Sequence, residues 1–145
     1  MDVDHRRLGV DLFNHTWTFL ERDDRTPEDD DAMLNASHAS RWHWSQASQE
    51  AKHQARGEWQ LARVYAVLGR GEPALYHAAR CLDWCERGEV EDWDVAFAYE
   101  ALARAHAVAG NTAEAARFKE LAGRAGDEIA DPEDRQHFEQ DWATL

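Results

Sequence analysis

Apolar positions along this chain recur with helical rather than strand spacing. Leu61, Val64 and Leu68 lie three and four residues apart, Leu75 and Leu82 continue the series at seven, and no segment alternates apolar and polar residues with period two. Ala, Leu, Arg, Glu and Gln dominate, and β-branched residues are sparse. The pattern predicts helix throughout, punctuated by proline and glycine. Thr26-Pro27-Glu28-Asp29 and Asp131-Pro132-Glu133-Asp134 share one form: a capping oxygen, a proline in the first turn, then acids facing the positive helix end. Pro73 follows the loop Gly69-Arg70-Gly71-Glu72, and Gly57, Gly88 and Gly110 mark further breaks. Seven helices are predicted, over 3–22, 27–50, 56–69, 72–86, 91–109, 112–129 and 132–143. The short connections between them make neighbours antiparallel.

An internal repeat sharpens this picture. LARVYAVLGRGEPAL (61–75) aligns with LARAHAVAGNTAEAA (102–116) at an offset of 41 residues. Leu61/Leu102, Ala62/Ala103, Arg63/Arg104, Ala66/Ala107, Val67/Val108, Gly69/Gly110 and Ala74/Ala115 match. The two glycines carry the most weight, because each ends one helix and is followed in register by another.

These residues resemble the tetratricopeptide repeat family. Its pattern of a large residue, leucine, a small residue, an aromatic, a turn glycine and two later small residues falls on Trp59, Leu61, Ala62, Tyr65, Gly69, Ala74 and Cys81. In the second copy it falls on Tyr99, Leu102, Ala103, His106, Gly110, Ala115 and Ala122. The spacing of 41 departs from the family's repeat of about 34 residues, and neither copy has the family's terminal proline in its usual place. The resemblance covers about residues 56–125. It implies an all-α fold, a right-handed stack of antiparallel helical hairpins forming one domain over 1–145. Residues 1–50 would be an N-terminal helical pair, and 132–143 a capping helix carrying Phe138 and Trp142 among charges.

By the same resemblance, the first helix of each copy lines a concave groove through Arg56, Trp59 and Arg63, then Phe97, Glu100 and Arg104. Trp59 with Arg63, and Glu100 with Arg104, are i, i+4 neighbours. A guanidinium stacked on indole or forked against a carboxylate presents a pre-organised site for a peptide carboxylate or phosphate. The same arginines can equally serve as internal salt-bridge partners between helices. The expectation is a non-enzymatic binding module for a peptide, a protein partner, an anionic small ligand, or a second copy of itself.

Composition narrows the classes. The chain has 145 residues, 29 acidic and 16 basic side chains, and a net charge of −13. The size suits one domain, and the charge argues against nucleic acid or an anionic membrane as partner. Cys81 and Cys85, four apart in a helical pattern, exclude a disulfide framework and read as small core residues. The first twenty residues lack the pattern of a secretory leader and no stretch is apolar enough to span a bilayer, so a cytoplasmic location is expected.

Histidines offer an alternative chemistry. Ser37-His38-Ala39-Ser40-Arg41-Trp42-His43-Trp44 is the densest unusual segment. His38 and His43 are five residues apart, outside the i, i+4 spacing of a helical metal pair. One ion would therefore need ligands from other helices, which His15, Glu58 or His106 could supply, with Trp42 and Trp44 as walls. His15, His38 and His43 with a carboxylate would suit zinc or iron with an open position, making the chain a metal-binding protein or a metal-dependent enzyme. The plainer reading is satisfied polar residues at helix contacts. The acids around 23–31 lack the alternation and glycine of a calcium loop. Phosphate loops, nucleophile elbows and zinc-protease motifs do not occur. The seven tryptophans exceed what a core of this size needs, a composition suited to a binding surface.

Overall fold

Alternation of capped starts and tight stops gives the described residues, 2–145 of a computed structural model, their organisation. The helices are α1 (His5–Leu20), α2 (Pro27–Ala47), α3 (Ala51–Val67), α4 (Gly71–Arg87), α5 (Trp93–Val108), α6 (Thr112–Asp127) and α7 (Pro132–Trp142). The described residues contain no strand.

The two proline signals act as expected. Thr26 accepts from the Asp29 N–H while Asp29 accepts from the Thr26 N–H, at 3.1 and 3.0 Å, closing a capping box over α2. Asp131 accepts from the N–H groups of Glu133 and Asp134 at the start of α7. The repeat glycines do matching work at the other ends. Gly69 and Gly110 take positive φ, 74° and 85°. Around them Arg70 N–H bonds Tyr65 C=O at 2.9 Å, and Asn111 N–H bonds His106 C=O at 2.8 Å. Both are Schellman closures. A third closure ends α4, where Val90 N–H meets Cys85 C=O at 2.9 Å. There the left-handed residue is Glu89, φ 52°, and not the preceding glycine. Gly88 is small for another reason: a Cβ there would overlap the Ala51 methyl at the start of α3.

The largest departure from the predicted boundaries is α3, which begins at Ala51 rather than 56 and runs through Gly57. Gly57 lies where Arg41 crosses, and a Cβ would meet Arg41 Cδ at 2.7 Å. Close packing of helices explains this glycine, and no break is present.

Consecutive helices pack in pairs, α1 on α2, α3 on α4 and α5 on α6, and each pair meets the next through α2·α3 and α4·α5. The first members also meet each other, α1 with α3 and α3 with α5, and α5 meets α7. Small residues make these approaches possible. Leu61, Ala62, Tyr65 and Ala66 of α3, Ala74 and Ala78 of α4, and Ala101, Leu102 and Ala105 of α5 form one buried cluster. Cys81 and Cys85 are free and buried beside Ala55 and Ala98. Their mutual hydrogen bond, together with burial, pushes the Cys81 thiol well above the ordinary range. The last helix is docked into the core, with Phe138 at 2% exposure against Phe97, Ala122 and Ile129. The Trp142 indole donates to Lys119 C=O at 2.9 Å. No helix among the described residues is long and apolar enough to cross a membrane.

Candidate functional site

An aromatic groove forms where α1, α3, α5 and α7 face one another. Phe13, Trp17 and Glu21 recur every four residues on α1 and so share one side of that helix. Opposite them stand Arg56 and Trp59 of α3, Trp93, Asp94 and Phe97 of α5, and His137 of α7, with Ala55 and Cys81 beneath. The cavity measures about 520 Å3, within the range of small-ligand sites. A second hollow of about 230 Å3 shares Phe13 and Arg56 with it, and continues to Val10, Asn14, Trp44 and His53.

The aromatic walls hold one another in place. Trp17 and Trp59 lie 5.5 Å apart at 36°, Trp59 meets Phe97 edge-on at 5.5 Å, and Trp93 meets Phe97 edge-on at 5.7 Å. The main chain of α1 is fixed by two buried side chains reaching across. Ser40 donates to Gly9 C=O at 2.8 Å, and Gln60 to Phe13 C=O at 3.0 Å. Each occupies a carbonyl of α1 and so sets how far α1 stands from its neighbours.

The structure brings together Trp59, Arg63, Glu100 and Arg104 from the sequence reading, as a knot beside the groove. Glu100, 1% exposed, accepts from Trp59 Nε1 at 3.0 Å, Arg63 at 3.3 Å and Arg104 at 2.9 Å. Asp141 stands 3.9 Å from Arg63, and Arg104 also donates to Asp141 C=O and the Thr144 hydroxyl. Burial and the neighbouring Arg104 lower the Arg63 pKa from its ordinary value. Arg56 stands apart from this knot. Its guanidinium grips Asp94 through two bonds of 2.9 and 3.0 Å and lies 5.2 Å over the Trp93 ring. All three arginines therefore face carboxylates of the chain itself.

The three histidines of the alternative reading go to different places. His43 meets His5 through their Nδ1 atoms at 2.9 Å, beside Trp42. His38 Nε2 bonds the Tyr65 hydroxyl at 2.8 Å, and burial with the nearby His77 holds it below the ordinary imidazole range. His15 packs edge-on against Phe19 at 4.9 Å. Among the described residues no group of three or more His, Cys, Asp or Glu side chains is placed to hold a metal ion.

A second buried polar centre gathers round Glu58, which the sequence offered only as a further metal ligand. Glu58, 2% exposed, accepts from Arg41 at 3.1 Å, Arg80 at 3.0 Å and His77 Nδ1 at 2.6 Å. Burial alone would raise its pKa. Hydrogen bonds from His77 and Arg80, with the charge of Arg41, outweigh that and hold it at about 2. The centre ties α2, α3 and α4 together and opens onto no cavity of the groove.

Sequence reasoning passed over Phe13, Trp17, Trp93 and His137 as a group. Spacing could have found the first two, since Phe13, Trp17 and Glu21 form one stripe on α1. No protein-family model, curated protein or solved structure matches the chain.

Proposed function

We propose that the chain is a non-enzymatic binding module. In this reading α1/α2, α3/α4 and α5/α6 are three hairpins of a right-handed, tetratricopeptide-like stack closed by α7. The inner row, α1, α3, α5 and α7, then presents the groove. What supports the hairpin reading is the packing of first members on one another and the matched helix ends at Gly69 and Gly110. What carries the binding reading is the cavity of about 520 Å3 walled by Trp17, Trp59 and Trp93. Three indoles left half-buried around one hollow are costly to solvate and ready to enclose an apolar group of a ligand or partner. The charged pair in the lining, Arg56 with Asp94, is engaged with itself, and the rest of the wall is mainly aromatic, a lining suited to capture.

A neutral environment-sensitive dye such as Nile red tests this. One equivalent is expected to bind and quench the indole emission, and Trp17→Ala, with unchanged helical circular dichroism, to weaken binding at least about tenfold. Equal binding by both proteins would place the dye elsewhere and remove the basis for the proposal.

A further inference from the structure

The groove's charges decide what kind of apolar group it takes. Its titratable lining consists of Glu21, Arg56, Asp94 and His137, with the buried Cys81 thiol beneath. Arg56 and Asp94 cancel, since both Asp94 oxygens already accept from one guanidinium. Glu21 and His137 remain: Glu21 is exposed at the C-terminal end of α1, with no side-chain hydrogen bond or ion pair among the described residues, and the His137 ring lies 5.9 Å from that of Phe97. Beyond Trp59 the remaining two arginines are committed to Glu100 and Asp141. An arriving anion finds no free guanidinium in the lining, and a chain of net charge −13 around it.

A cation finds the opposite. The faces of Trp17, Trp59 and Trp93 carry the negative lobe of the indole quadrupole, and indole is the strongest aromatic partner for a cation. The groove already seats one such group, the Arg56 guanidinium over Trp93. The scarcity of acceptors then selects among cations. A primary ammonium brings three N–H donors, for which the lining offers only Glu21 at the mouth and the remaining lone pairs of Asp94, so most of the aromatic surface is better used by a cation without donors. An alkylated ammonium has few donors or none, and spreads its charge over methyl groups that pack on rings. The volume also exceeds what such a head group fills, leaving room for an apolar body.

We infer that the groove binds a small organic cation, an alkylated ammonium attached to an aromatic or aliphatic body, seated among Trp17, Trp59 and Trp93 with Glu21 at the mouth. This rests on the groove being a binding site, and it fixes the sign of the ligand's charge. The repeated arginines meet carboxylates of the chain itself, the salt-bridge arrangement the sequence also offered, and so lend the groove no free positive charge.

Benzyltrimethylammonium, its uncharged carbon isostere neopentylbenzene, and the anion 4-tert-butylbenzoate have similar shapes and separate charge from size. Titrated into the full chain and followed by indole emission, the cation is expected to bind at least about tenfold more tightly than the isostere. The anion should bind more weakly than either. Glu21→Gln should weaken the cation about threefold and leave the isostere unchanged. Equal binding of cation and isostere, or preference for the anion, would overturn the inference while leaving the groove as an apolar site. Absence of binding by all three probes and by the neutral dye would overturn both readings together.

Discussion

Trp59 and Glu100, joined by a 3.0 Å hydrogen bond, stand at equivalent positions of the internal repeat, 41 residues apart. The same is true of Arg63 and Arg104, which share the Glu100 Oε1 atom. One buried carboxylate thus serves an indole and two guanidiniums, and joins α3 to α5 beside the groove. Replacing it leaves two cations facing each other in a poorly hydrated place. Glu100→Ala is expected to cost about 3 kcal/mol or more of folding free energy in urea denaturation. A cost under about 1 kcal/mol would show that water restores what the carboxylate supplies.

Glu58 makes a prediction about acid. Its folded pKa of about 2 lies below the ordinary value of 4.5. The stability this confers is complete above pH 4.5 and is lost as pH falls toward 2, because the unfolded chain takes up the proton first. The window corresponds to roughly 3 kcal/mol as an upper figure. Glu58→Gln should be less stable at neutral pH and should lack that part of the wild-type decline between pH 4.5 and 2. Parallel curves for the two proteins would remove Glu58 from the acid response.

Phe138 tests how firmly α7 belongs to the core. It is 2% exposed and meets Phe97, a groove residue, edge-on at 5.2 Å. Phe138→Ala should cost about 3–5 kcal/mol. It should also weaken binding in the groove, since Phe97 loses its backing. Full stability after the change would make the last helix an appendage.

The end of α4 offers two substitutions of opposite sign. Glu89 holds a left-handed conformation with φ 52°, so Glu89→Gly should stabilise by up to about 1 kcal/mol. Its neighbour behaves oppositely. Gly88→Ala should destabilise, because its methyl would strike Ala51. Thermal midpoints moving the same way in both variants would contradict this division of roles.

Much of the helical outline was legible in the sequence because its signals are local. Thr26, Asp131 and the prolines after them act within one turn, and at Gly69 and Gly110 the helices close through N–H bonds to residues three and five back. The start of α3 was not legible. Gly57 looks like a breaker in one dimension and becomes a packing residue only once Arg41 lies across it. Candidate-site residues divide the same way. Arg56 and Trp59 were visible through the repeat, whereas Phe13 and Trp17 belong to a helix outside it and gain meaning only beside α3. The Glu100–Arg104 pair was visible as i, i+4 spacing, whereas Asp94 for Arg56 and Glu100 and Asp141 for Arg63 come from other helices, a pairing that spacing alone does not reveal.

The placement of α1 has one more consequence. It is packed along α2 but meets α3 sparsely, through bonds such as Gln60 to Phe13, while α3 is enclosed by α2, α4 and α5. One wall of the cavity is therefore a helix held closely on one side only. Amide protons of α1 should exchange with deuterium sooner than those of α3. An occupant touching Phe13 and Trp17 on one side and Trp59 and Phe97 on the other would act as a splint, slowing exchange in α1 far more than in the helices that need no support.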